Sequence, residues 1–155
     1  MPSLAHVARR SDAAVARARG VLVAAVRQAA ASGMSQRDIA DQIGRSQPEI
    51  SRLLRFHGTS PLARRLRAAR AQVLALVGET GGTNVCVFGS VATGTDGPDC
   101  DVDLLFTMGH PLSLMELYDL EERVSSAVGA KVDLVPDTAL HPALGERVLA
   151  EQVTL

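Results

Sequence analysis

Three short apolar runs mark the second half of the chain, and two of them carry aspartates where a strand should be uncharged. NVCVF (84–88) leads into Gly89-Ser90, VDLLF (102–106) follows Asp101 and contains Asp103, and KVDLV (131–135) contains Asp133. Removing a carboxylate from water is costly, so each charge needs a compensating partner. Strand side chains alternate between faces, which puts Asp101 and Asp103 on the same one. Two carboxylates that close repel, and unaided one of them takes up a proton. A divalent cation removes the conflict, and an oxygen-only donor set points to magnesium or manganese rather than zinc. If the third run pairs beside the second, Asp133 joins the same site.

Gly89-Ser90 adds a second element. Glycine lets a ligand approach the backbone closely, and exposed amides with a hydroxyl suit a phosphate oxygen. Together the pieces specify nucleoside-triphosphate chemistry with two metal ions, one at the acceptor oxygen and one at the triphosphate and leaving pyrophosphate. Asp96 and Asp99, in the intervening Gly/Thr/Asp/Pro loop, read as turn residues. LSLMELYDLEERVSSAVG (112–129) is a helix by its apolar spacing, and HPALGERVLAEQ (141–152) is another. The order from residue 83 is strand, loop, strand, helix, strand, helix, which predicts a small α/β (α+β) domain with one short mixed sheet.

The first half is different in charge. Residues 1–70 hold 13 Arg and no Lys against four acids, a balance of +9, and residues 71–155 hold three basic residues against 13 acids, −10. Such a split suggests a polyanion-binding half joined to a half with other work. Residues 11–31 predict a helix capped at Ser11 or Asp12, with Val15, Ala18, Leu22, Ala25, Val26 and Ala29 at helical spacing. MSQRDIADQIGRSQPEISRLLRFHG (34–58) divides into two short helices. The first starts at Ser35, buries Ile39, Ala40 and Ile43, and stops at Gly44. The second is capped by Ser46, tolerates Pro48 in its first turn, and buries Ile50, Leu53 and Leu54. A further helix starts at Ser60-Pro61. Its seam of Leu62, Leu66, Ala69, Val73 and Leu76 suits either a dimer contact or packing on the next domain.

Other classes are disfavoured. No apolar run approaches the roughly 18 residues of a membrane span, and MPSLAHVARRSD lacks the apolar core of a secretory signal. Cys86 and Cys100 make neither a disulfide framework nor a zinc pattern, so a reduced, cytoplasmic protein is expected.

The segment 20–57 resembles the phage-repressor-like (Xre/Cro) helix-turn-helix, on Gln36, Ala40, Ile43, Gly44, Ser46, Ile50, Ser51 and Leu53. That resemblance implies operator DNA as a partner, with the second helix in the major groove. Gln47 and Arg52 would then read base edges, while Gln36, Arg37, Ser51 and Arg55 hold phosphates. FGSVATGTDGPDCDVDLLF with the distal Asp133 resembles the minimal nucleotidyltransferase signature of the polymerase-β superfamily, over about residues 66–155. It implies triphosphate binding at Gly89 and Ser90 and metal ligation at Asp101 and Asp103. Asp133 would be the third carboxylate, as ligand or base. Two positions depart from the pattern: Thr93 stands where many members have Arg or Lys, and Cys100 stands where Ser is usual.

The expected domains are a helix-turn-helix over 1–58, a connecting helix over 59–82 belonging with the second domain, and the minimal nucleotidyltransferase over 83–155. Minimal nucleotidyltransferases resemble antitoxins that adenylylate a toxin, often of the HEPN type. The resemblance therefore implies a metal-dependent protein adenylyltransferase that uses Mg2+ or Mn2+ and ATP or another nucleoside triphosphate. Its partners would be a cognate toxin and operator DNA, without a membrane, as a homodimer or a toxin–antitoxin hetero-oligomer. The alternative is a transcription regulator whose degenerate nucleotidyltransferase domain senses nucleotide.

Overall fold

Capping decides where this Ala- and Arg-rich chain becomes helical. In the computed structural model, which describes Met1 and residues 3–155 (Ala16 by its backbone alone), the Ser3 hydroxyl accepts from the His6 N–H. It starts a 28-residue helix, α1, Leu4–Ala31. The expected caps Ser11 and Asp12 lie inside that helix. Ser3 already satisfies the first turn, and the alanines carry the helix on propensity.

The chain divides into two compact units, residues 1–54 and residues 55–155. In the first, α2 (Gln36–Ile43) begins at Ser35, whose hydroxyl accepts from Asp38 N–H. It ends at Gly44, whose φ of 64° and ψ of 37° lie in the left-handed region that glycine enters without strain. The third helix, α3 (Gln47–Leu54), is held at its start by Glu49, whose carboxylate accepts from both the N–H and the hydroxyl of Ser46. Val26 of α1 packs with Ile39, Ala40, Ile50 and Leu53 into a small core. Ile43, expected inside, is exposed, because α2 ends there and the chain turns away. Val15 is also exposed, since the apolar spacing of α1 runs beyond the stretch that meets α2 and α3.

In the second unit, Ser60 caps α4 (Pro61–Ala68), and α5 (Arg70–Glu79) comes next. The single helix expected from Ser60 is thus two, separated at Ala69 with φ −86° and ψ 0°. The seam survives the break, because Ala69 N–H still donates to Arg65 O and Val73 N–H to Ala69 O. Leu62, Leu66, Ala69, Val73 and Leu76 are buried in one core with the sheet residues Val87, Leu104 and Phe106.

The mixed sheet has the order β3-β2-β1-β4. β1 (Thr83–Phe88) is antiparallel to β2 (Val102–Thr107), with the short α6 (Gly89–Thr93) between them. β2 is parallel to β3 (Val132–Pro136), and α7 (Leu114–Val128) makes the crossover that a parallel pair requires. The last helix, α8 (Pro142–Glu151), leads into β4 (Val153–Thr154), antiparallel to β1. The sequence pattern does not predict β4, because two residues are too few for alternation to be read. Phe56 N–H donates to Thr154 O at 2.7 Å, which ties the segment after α3 to this end of the sheet.

The outer edge of β3 is covered by α7. The Ser125 hydroxyl accepts from Val132 N–H at 3.0 Å, and the Glu121 carboxylate accepts from Leu134 N–H at 2.9 Å. Two edge amides are thereby satisfied, and the strand carrying Asp133 is pinned on both sides. Leu66→Ala, which opens a cavity where α4 packs into the core, is expected to lower the unfolding free energy by about 2–5 kcal/mol in urea titrations.

Candidate functional site

The register of the sheet assembles the acids. Cα pairing sets Phe88 opposite Asp103 and Asp103 opposite Asp133, so β1, β2 and β3 contribute neighbouring positions across one row. Val102, Leu104, Val132 and Leu134 point into the core, and the alternating Asp103 and Asp133 point to the other face. Asp101 precedes β2 on that same face. Asp103 is half-buried, and its carboxyl is held above the usual range by burial first, then by the charges of Asp133 and Asp101.

Gly89 fits this row for two reasons. Its φ of 70° lies in the left-handed region, and a Cβ placed there would collide with Asp103 Oδ2. The backbone thereby comes up against the carboxylate at the first residue of α6. No side chain caps that helix, so its first amides remain available to a ligand. Ser90 is the second residue of the same turn. Thr93 turns back: its hydroxyl lies 3.2 Å from Gly89 O, 3.3 Å from Ser90 O and 3.0 Å from the Thr95 hydroxyl. Cys100 takes the role open to a serine there, its Sγ accepting from Gly97 N–H at 3.2 Å. Asp96 does more than populate a turn. It accepts from the Ser60 hydroxyl at 2.6 Å and ties the loop to the start of α4.

Lys131 belongs to the site although the motif spacing does not single it out. Its Nζ lies 2.7 Å from Asp101 Oδ2 and 3.3 Å from Asp133 Oδ1. Both hydrogen bonds hold the ammonium above the usual lysine range. A signal is present in the sequence, because Lys131 stands two positions before Asp133 and therefore shares its face. Among the described residues, no three His, Cys, Asp or Glu side chains close around one point tightly enough to hold an ion. The donor set still suits a hard divalent cation: the three carboxylates offer only oxygen, and the Lys131 ammonium already stands in as a cation between two of them.

Phe88, Gly89, Val135, Leu144, Arg147 and Val148 are among the residues lining a cleft of about 330 Å³, with Val135 two positions after Asp133 on β3.

A profile of the nucleotidyltransferase domain matches residues 66–153. The chain belongs to this family. Protein adenylyltransferase MntA of Thermococcus cleftensis is 37% identical to this nucleotidyltransferase over 67 residues, covering 43% of the chain and 68% of MntA. A solved structure of a minimal nucleotidyltransferase shares 38% identity with a TM-score of 0.54, covering 59% of this chain and 94% of that one. A toxin–antitoxin crystal structure with AMP-PNP shares the fold at 21% identity and a TM-score of 0.50, over 54% of this chain and 69% of that one. The family match leaves residues 1–65 outside it.

In that first unit, Gln47 and Arg52 are exposed on α3, and Ser51 is half-buried one turn beyond Gln47. Arg52 Nε donates to Pro48 O at 3.2 Å. Gln36 and Arg37 open α2, the first half-buried and the second exposed. Arg55 does not continue α3. The helix stops at Leu54, and Arg55 forms a bridge with Thr154 at the sheet edge. Arg19, Arg45 and Arg52 line one groove of about 570 Å³ between α1 and α3.

The raised carboxyl of Asp103 gives a pH signature. A carboxyl with a raised folded pKa favours folding below the unfolded value, near 4, and that stability is lost as pH rises through the folded one. Asp103→Asn should therefore raise the Tm of the metal-free protein at pH 7, and the gain should disappear on acidification to about pH 4. Thermal melts across pH without divalent ions measure it.

Proposed function

We propose that this nucleotidyltransferase is an antitoxin that transfers AMP from ATP to a cognate toxin protein, and that its first unit binds operator DNA. The observation that carries the transferase half is the row of Phe88, Asp103 and Asp133, with Asp101 beside it and Gly89 closed against Asp103. The likeness to MntA favours a protein acceptor, and the shared fold with a toxin–antitoxin structure holding AMP-PNP is consistent with an adenine nucleotide.

In this reading, the free amides of α6 and the Ser90 hydroxyl hold oxygens of the triphosphate. Asp101 and Asp103 would ligate the divalent cation that offsets the repulsion between these carboxylates and the α-phosphate. Asp133 accepts the proton of the acceptor hydroxyl as that oxygen bonds to the α-phosphorus, and the bond to the β-phosphate breaks to release pyrophosphate. A divalent cation bound by the three carboxylates, Mg2+ or Mn2+, supplies charge neutralisation on the phosphates. In the first unit, Gln47 and Arg52 address base edges, and Gln36, Arg37 and Ser51 address phosphates. Arg55 adds a phosphate contact from the segment after α3. The groove lined by Arg19, Arg45 and Arg52, in which Glu49 offsets one of the three charges, leaves a net positive surface that supports a polyanion as the ligand.

One observation favours a regulator that binds nucleotide without transferring it. Thr93 commits its hydroxyl to the carbonyls of α6 and brings no charge to the triphosphate. Incubation with ATP labelled on the α-phosphate, Mg2+ and the product of the adjacent gene separates the two readings. Label on the partner protein, abolished by Asp103→Asn, is the expected result. Bound ATP with no label transferred to an intact partner supports the regulator instead.

For the first unit, affinity for operator DNA is expected to fall steeply with salt as counterion release predicts. Arg52→Ala should weaken specific binding about tenfold. Gel-shift titrations at several salt concentrations check both, and affinity that ignores salt counts against the assignment.

A further inference from the structure

Lys131 makes the one lysine contact to the acid row among the described residues, and its setting is unusual for a surface ion pair. It bridges two carboxylates, one just before β2 and one in β3, at 2.7 Å to Asp101 and 3.3 Å to Asp133. The bridge follows from the parallel register. Val102 pairs with Val132, so the preceding residues Asp101 and Lys131 stand opposite each other, with Asp133 two positions further along β3 on the same face. The lysine side chain is 66% exposed, so burial does not fix it there. A flexible four-carbon stem lets the ammonium leave without moving the strand. Three carboxylates carry more negative charge than one ammonium offsets, and a divalent cation in its place neutralises more of it. The ammonium also occupies oxygens that such a cation needs, because both of its partners belong to the proposed ligand set.

We infer that Lys131 is a positioning residue, a tethered counter-ion that holds Asp101 and Asp133 together without metal and that a divalent cation must displace from both. The inference rests on the nucleotidyl-transfer reading of the three acids, but it concerns binding and needs no turnover. Displacement has a cost, so the lysine lowers the apparent metal affinity by the fraction of time it occupies the acids. It also relieves repulsion in the metal-free protein, so its loss destabilises that state selectively.

Mn2+ binding to the full chain without nucleotide, followed by the paramagnetic resonance of the free ion, tests this in wild type, Lys131→Met, Lys131→Gln and Lys131→Arg. Lys131→Met and Lys131→Gln are expected to bind Mn2+ about three- to tenfold more tightly, and Lys131→Arg to match wild type. Thermal melts should show both neutral variants less stable than wild type without metal and gaining more from saturating Mn2+. Wild-type binding with no gain in either neutral variant overturns the role of Lys131 and leaves the metal reading intact. An absence of Mn2+ binding in all four proteins overturns both.

Discussion

Asp103 and Asp133 stand side by side because β2 and β3 are parallel and in register, and that pairing imposes the conditions on the rest of the domain. Like charges on neighbouring strands oppose the pairing that brings them together. The sheet holds them by other means. Val102, Leu104, Val132 and Leu134 bury the opposite face, α7 makes the crossover, and Ser125 and Glu121 close the outer edge of β3. The hydrophobic face and the satisfied edge fix the register, and the unfavourable electrostatics follow from it. Asp103, the acid with the raised carboxyl, is also the one flanked on both sides, by Phe88 and by Asp133.

Glycine enters this scheme through space as much as through conformation. A side chain at Gly89 would displace the Asp103 carboxylate, so backbone and acid occupy complementary volumes. The first turn of α6 and the acid row are therefore one construction, although Val102 lies thirteen positions after Gly89 in the chain. The loop between them is itself restrained. Cys100 accepts from Gly97 N–H, and Asp96 takes the Ser60 hydroxyl that also caps α4. A long polar loop of this kind would otherwise leave the entrance to β2 free to shift, and Asp101 lies at that entrance.

Much of this is legible in the sequence where a local rule has a single outcome. Alternation within VDLLF and KVDLV places the acids on one face, and Gly44 marks the turn between α2 and α3 through its left-handed backbone. What escapes depends on partners distant in the chain. β4 exists only because Val87 and Cys86 offer an edge to Val153 and Thr154. Nothing local marks the end of α3 at Leu54, and Arg55 and Phe56 pair instead with Thr154. Ile43 and Val15 fit an apolar stripe, but a stripe says which face is apolar and not how far a neighbouring helix extends. Glu121 reads as one acid among several on α7. Its use as a cover for the Leu134 amide comes only from the tertiary arrangement.

Thr93 shows how the same residue can look like a loss and act as a local support. Set against the family pattern of Arg or Lys expected at that position, a threonine would remove charge from the proposed phosphate site. In this chain its hydroxyl reaches back to the carbonyls of Gly89 and Ser90 while Gly94 terminates the helix in a left-handed conformation. Five residues are too few for a helix to be stable by itself, so such bonds matter to α6. The first turn of α6 must stay formed for its amides to converge on one ligand. A side chain reaching outward for phosphate would give up these back-bonds, so at this position direct charge and support of the turn are competing uses of one residue.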